Sequence, residues 1–338
     1  MLAQAGAKYN IRCYTGQDKL PELIRRQQID AIVPSIVSLG ADFPVPWVGY
    51  LCDFQHKHLP NLFSPEECSS RDHAFACMLE QAPAIMVTSQ AVKRDIETFN
   101  PAGTHTVFAL PFAPLPHNEW FGDDRANVVQ KYGLPARYFL ISSQFWRHKS
   151  HVTAFGALAL LRQQANYQDV KVVCTGQTQD YRHPGYFDEL QSRIADLGLT
   201  DAVVVLGHIP KLDQIQIMKQ AVALVQPTLF EGSQGGLAVY DAVGLGVRAI
   251  VSDIPVNLEI QDSYVTFFQT GSAEDLAIKM AKILGEAAPR IDKRHQLKRA
   301  QQRITLFGDI LLQAVAAASQ PNGPNKLDTH EPTLQSVI

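Results

Sequence analysis

Short apolar runs alternate with amphipathic stretches along most of the chain, and this alternation restricts the fold more than any other feature. A strand that is apolar throughout must be covered on both faces, and helices between such strands supply the cover. The pattern therefore predicts βαβ units and parallel sheets. In the first part, IDAIVPSI (residues 29–36), VPWVGYL (45–51), AIMVTS (84–89) and HTVFALPF (105–112) read as buried strands. Residues 20–26, 64–81 and 90–99 between them carry helical spacing. Ser64, Pro65 and Glu67 form the N-cap, first-turn proline and capping-box partner of one of these helices.

A proline-rich crossing, PFAPLPH (residues 111–117), reads as a linker. A second series of strands follows it: YFLISS (138–143), VKVVCTG (170–176), VVVLGHIP (203–210), ALVQPTLF (223–230), RAIVSDIP (248–255) and TFFQ (266–269). At 338 residues the chain suits two units. The expectation is a Rossmann-like α/β domain over residues 1–115 and a doubly wound α/β domain over 116–318. A disordered polar tail is expected over 319–338. The first unit opens without the usual strand and glycine-rich turn, so it is expected to lack its first βαβ portion. Ligands are expected at the carboxyl ends of the strands, where the order of a doubly wound sheet switches.

A hydrophobic content of 46%, a charged content of 19% and a net charge of −3 describe a globular protein with sizeable cores. No Lys/Arg block suited to a phosphate backbone is present, so nucleic acid is not an expected partner. The five cysteines are odd in number and form no C-x-x-C pair, which points to reduced thiols and a cytoplasmic location. The first residues lack the layout of a secretory signal, and no run of about 18 apolar residues would span a membrane.

Three segments carry candidate chemistry. In PTLFEGSQGGLAVYDAVGLGVRAIVSDIP (227–255), a strand is followed by Glu231, by a loop with Ser233, Gly235 and Gly236, and by a helix starting near Leu237. Glycines before a helix let amide groups approach a phosphate, and the helix dipole favours the anion. Glu231 is placed to hold sugar hydroxyls and Asp241, ten residues on, to reach a ribose; a helix-capping role for Glu231 is the alternative. In SSQFWRHKSH (142–151), Arg147 and Lys149 are cations at the same sheet edge, suited to a diphosphate, with a surface loop as the alternative. In DFQHKHLP (53–60), His56 and His58 follow a strand. In an extended loop they point opposite ways, so at most one faces the cleft; His56 is taken as the candidate proton relay or hydrogen-bond donor. Ser89 and Lys93 read equally as cleft residues or as a helix cap and a solvated lysine. No third ligand has the spacing for a metal with the two histidines.

Residues 138–271 resemble the donor domain of the family 4 glycosyltransferases, "glycosyl transferases group 1", whose fold is GT-B. The resemblance rests on Pro227-Thr228, Glu231-Gly232, Asp241, Gly244-Leu245-Gly246 and Ser252-Asp253, with Thr175-Gly176 and residues 142–151 and 206–210. It continues more weakly over residues 40–112. It implies a retaining, metal-independent transfer from a nucleotide-sugar, with no cofactor, onto a glycan or lipid-linked acceptor in cell-envelope polysaccharide synthesis. Peripheral contact with the inner face of the membrane follows from that setting. By the same resemblance Glu231 contacts the donor sugar and Lys149 the diphosphate. Gly235 and Gly236 take the phosphates, Asp241 the ribose, and His208 and Ile209 border the base, with Gly176 beside them. Two positions depart from the family pattern: Val239 stands where its second Glu is usual, and Gln144 where its Arg is usual. These departures and the short first unit leave a binding-only protein as the alternative function, and an epimerase or phosphorylase as other enzymatic readings.

Overall fold

The computed structural model describes Gly16, residues 19–101, Gly103 and residues 105–320. The opening of the first unit, residues 1–15, and the expected tail beyond residue 320 lie outside the described residues.

Two all-parallel sheets form, as the alternation predicts. The first contains β1 (Ile32–Ser35), β2 (Trp47–Leu51), β3 (Ala84–Val87) and β4 (Val107–Ala109) in the order 1-2-3-4. Its helices are α1 (Leu20–Gln27), a single turn α2 (Gln55–His58), α3 (Pro65–Gln81) and α4 (Gln90–Phe99). The second contains β5 (Tyr138–Ser142), β6 (Lys171–Thr175), β7 (Val203–Gly207), β8 (Ala223–Gln226), β9 (Ala249–Ser252) and β10 (Val265–Phe268). Its order, 10-9-8-5-6-7, puts the switch point between β5 and β8. Here the helices are α5 (Arg125–Tyr132), α6 (His151–Arg162), α7 (Tyr186–Asp196), α8 (Lys211–Met218), α9 (Gly236–Leu245), α10 (Ala273–Leu284) and α11 (Lys293–Ala318).

The period of two along a strand divides the core of the second sheet. Phe139 and Ile141 pack with α6, α7 and α10, whereas Tyr138 and Leu140 pack with α5, α8 and α9. Each fully buried side chain of this size contributes about 1.5–3 kcal/mol. In the first sheet, Leu51, Ile85 and Val87 pack with α3 and α4. The capping box forms: Ser64 Oγ accepts from the Glu67 amide at 3.1 Å, and the Glu67 carboxylate accepts from the Ser64 amide at 2.9 Å.

The chain division at residue 115 needs one correction, because α11 serves both sheets. Its Ala314 and Ala318 are buried against Val48, Ala84 and Met86, the face of the first sheet that α3 and α4 leave open. Earlier in the same helix, Arg299 and Arg303 both bond Asp262, whose side chain is fully buried, in the turn before β10. Removing that carboxylate strands two largely buried cations. Asp262→Ala is expected to lower stability by about 3 kcal/mol, read as a lower midpoint in guanidinium chloride unfolding.

Candidate functional site

Where neighbouring parallel strands send their connections to opposite sides, a crevice opens at their carboxyl ends. Here the loops after β5 and β8 meet, and the His148 carbonyl ties them by accepting from the Leu229 amide at 2.7 Å and Thr228 Oγ1 at 3.1 Å. This tie brings Lys149 to Glu231, with Nζ donating to Oε1 at 2.5 Å and each side chain only 13% exposed. Gln226 Nε2, at the end of β8, donates to the same carboxylate at 3.1 Å and to the Gly235 carbonyl at 2.9 Å. Asn257 is wholly buried; it donates to Gln226 Oε1 at 3.1 Å and accepts the Gly235 amide at 2.8 Å.

Gly235 is the left-handed N-cap of α9, and no side chain caps that helix. Glu231 stands beside its first residue, Gly236, without capping it. A helix N-terminus without a side-chain cap, next to Lys149, is a receptacle for an anion. Ser233 contributes its carbonyl to the Gly236 amide at 3.3 Å, and Leu237 is 82% exposed at the start of the helix. Gly176 permits a close approach: its φ is +143°, and a Cβ there would stand 2.0 Å from the Ser143 carbonyl oxygen.

The second half touches the first at the same loop. The Gly232 carbonyl accepts from Thr88 Oγ1 at 2.5 Å and from Ser89 Oγ at 3.0 Å, while Ser89 also caps α4 by accepting the Val92 amide. A Cβ at position 232 would lie 2.4 Å from the Cys52 carbonyl oxygen, so only glycine allows this contact without a shift. Arg182, after β6, lies over Trp146 at 4.9 Å and over Phe63 of the first half at 5.0 Å. Between the halves lies a cavity of about 400 Å³ lined by His58, Arg94, Asp95, Phe230, Glu231 and Pro255 among others.

Several expected site residues lie elsewhere. Residues 55–58 form a helical turn rather than an extended loop, and this rotates His56 out of the cleft. Its side chain is fully buried, with Nδ1 accepting from Arg71 Nε at 3.1 Å; Nε2 therefore carries the proton and donates to Asp72 at 2.9 Å. Burial holds its pKa below the ordinary value, against the opposing bond to Asp72. His58 is the histidine at the cavity, bonded to Asp95 at 2.9 Å and 5.4 Å from the Phe230 ring. Burial raises the Asp95 carboxyl, and the His58 bond opposes that rise. Arg147 is committed to α7, bonding both Glu189 oxygens at 2.8 and 2.9 Å over the Tyr186 ring. Asp241 is paired with Lys211, and burial raises its pKa despite that partner. Gln144 and His208 are exposed, and Ile209 packs against the core on the α8 and α9 side. Residue-by-residue reading missed Gln226, Asn257, Asp95 and Arg182, each of which also meets a partner more than 30 residues away: Gln226 and Asn257 one another, Asp95 His58, and Arg182 Trp146. Among the described residues no three His, Cys, Asp or Glu side chains group as metal ligands, and no helix is long and apolar enough to cross a membrane.

The family profile described as Glycosyl transferases group 1 matches residues 124–303, more than half of the chain. The chain belongs to this family. It is a glycosyltransferase. No curated protein matches the sequence. HepE of Anabaena, solved in complex with UDP and glucose, superposes on this glycosyltransferase with a TM-score of 0.59 at 16% identity, covering 94% of this chain and 86% of its own. A glycosyltransferase from Rickettsia africae ESF-5 gives 0.59 at 14% identity, covering 95% and 87%. WaaG, a glycosyltransferase involved in lipopolysaccharide biosynthesis, gives 0.55 at 13% identity, covering 91% and 84%. These likenesses show the GT-B fold.

The site has a built-in pH limit. His148 and His151, which flank Lys149, have pKa values pushed down to about 3, chiefly by burial and then by the Lys149 charge. Both are neutral in the folded enzyme but take up protons near 6.5 when unfolded. Their neutral forms therefore support folding fully above about pH 6.5, and that support is lost as pH falls towards 3. Between pH 7 and pH 5 the loss is about 2 kcal/mol for each histidine. Urea midpoints at the two pH values should show it, and His151→Asn should remove about half; equal stability at pH 5 and pH 7 would refute the assignment.

Proposed function

We propose that this glycosyltransferase moves a sugar from a nucleotide-sugar to a glycan or lipid-linked acceptor, with retention and without a metal or other cofactor. The carrying observation is the Lys149–Glu231 pair at the switch point, against the N-terminus of α9, which has no side-chain cap. In the free enzyme the two side chains satisfy one another. A donor would part them: Glu231 turns to sugar hydroxyls and Lys149 to the diphosphate.

Loss of the nucleoside diphosphate from the anomeric carbon leaves negative charge on the β-phosphate. Lys149 and the α9 amides are fixed donors aimed at that charge, and a preorganised donor of this kind is worth about 2.7–4 kcal/mol. The acceptor hydroxyl, held on the His58 and Asp95 side of the cavity, attacks the face that the diphosphate leaves. The departing phosphate oxygen is then the nearest base for its proton, and no carboxylate nucleophile is needed. Exclusion of water between the halves protects the donor from hydrolysis. Cell-envelope polysaccharide synthesis, at the cytoplasmic face of the membrane, is the setting we assign. It is supported by the family and by the fold shared with WaaG, a glycosyltransferase involved in lipopolysaccharide biosynthesis.

Arg147 and Asp241, both engaged by other partners, favour one competing reading, a protein that binds donor without transferring it. Release of UDP from UDP-glucose, with or without acceptors, separates the two. HepE's complex with UDP makes UDP the first nucleotide to titrate. In EDTA, Lys149→Ala is expected to bind UDP about 2 kcal/mol, or roughly thirtyfold, more weakly than wild type. Arg147→Ala should stay within about twofold, because its partner is α7. Calorimetry decides, and undiminished binding by Lys149→Ala would remove the assignment.

A further inference from the structure

Glu259 belongs to the second half, in the short turn Asn257–Glu259 after β9, yet its carboxylate bonds the first half. The amides of Gln90 and Ala91, the first two residues of α4, donate to it at 3.0 and 2.6 Å. Arg94 approaches the same carboxylate at 3.5 Å. A carboxylate at a helix N-terminus satisfies open amides and the helix dipole together. Ser89 already caps α4 from within, so the cap from Glu259 adds a tie between halves rather than a missing local bond.

The other side of Glu259 faces the Glu231 loop. Gln234, only 2% exposed, donates to it at 3.1 Å and to the Leu110 carbonyl of the first half at 3.3 Å, and accepts from the Tyr240 hydroxyl at 2.9 Å. Asn257, two residues before Glu259, holds Gln226 and the Gly235 amide, and Gln226 holds Glu231. Hydrogen bonds, joined by the two-residue step along the backbone from Asn257 to Glu259, thus link the Lys149–Glu231 pair to the first turn of α4. Arg94 and Asp95, a turn further along that helix, line the cavity with His58.

We infer that Glu259 is a positioning residue: through it the loop carrying Glu231 sets the first turn of α4, and with α4 the Asp95–His58 side of the cleft. The inference deepens the function proposed above and rests on that reading of the cleft. The donor contacts proposed above and Glu259 belong to the second half and α4 to the first, so Glu259 acts on the relation between donor and acceptor sides.

Hydrogen exchange of the full chain, followed by mass spectrometry, tests it in two arms. Without nucleotide, Glu259→Ala is expected to speed exchange about fivefold at residues 90–92 and also at 231–236. Glu259→Gln, which keeps an oxygen facing the α4 amides, should restore part of the protection at both. Faster exchange confined to 90–92 would mark a simple helix cap and overturn the inference, as would unchanged exchange. With UDP as the probe, wild type and Glu259→Ala are compared at nucleotide concentrations that saturate each, because a looser 231–236 loop also weakens binding. UDP should slow exchange at 90–92 in wild type but not in the variant; slowing that persists in the variant overturns the inference. A wild type that binds no UDP counts against the donor reading alone, and the nucleotide-free arm then decides on Glu259.

Discussion

The bond between the Gln226 and Asn257 side-chain amides, 3.1 Å long and buried, holds the geometry on which the rest of the site depends. Each amide has further groups to satisfy, and the two share Gly235: Gln226 bonds Glu231 and the Gly235 carbonyl, Asn257 the Gly235 amide and the Ser252 carbonyl. Buried amides left unpaired are costly, so this arrangement has few alternatives of similar energy. The start of α9, the direction of the Glu231 carboxylate and the turn that carries Glu259 are fixed together. An apolar pair at these positions could fill the space but would not orient the two loops after β8 and β9.

What the sequence reveals follows the range of the interactions. The strands are legible because parallel sheets need near-continuous apolar runs, and β3, β8 and β9 are buried at every residue. The caps at Ser64 and Ser89 are legible because their partners lie three residues away. Which of His56 and His58 lines the cavity is not legible in sequence, because one helical turn replaces an extended loop and a period of 3.6 residues, not 2, decides it. Arg147 and Asp241 looked free in sequence because Glu189 and Lys211 reach them from distant segments. The double duty of α11 was hidden for a similar reason. Its alanines suit any helix, and only the open face of the first sheet gives Ala314 and Ala318 their role.

The charges at the switch point are sparse, and burial keeps them so. His148 and His151 are next to Lys149 but neutral, and Arg147 is turned to α7. Lys149 thus stands as a partly buried cation whose one ion-pair partner among the described residues is the Glu231 carboxylate. In such a low-dielectric setting one well-placed charge and the helix amides act more strongly on developing negative charge than several solvated side chains would.

The contacts across the cleft set how firmly the halves close. On the side of Glu231 they are polar: Gly232 with Thr88 and Ser89, Glu259 with the α4 amides, and Gln234 with Leu110. Such bonds exchange for water at a net gain of about 1 kcal/mol each. Opening there is therefore inexpensive. On the α11 side the tie is apolar, with Ala314 and Ala318 buried against the first sheet while Arg299 and Arg303 anchor the same helix to Asp262. Burial of that kind has no comparable exchange with water. The halves thus meet through an apolar tie along α11 and through polar bonds along the cleft.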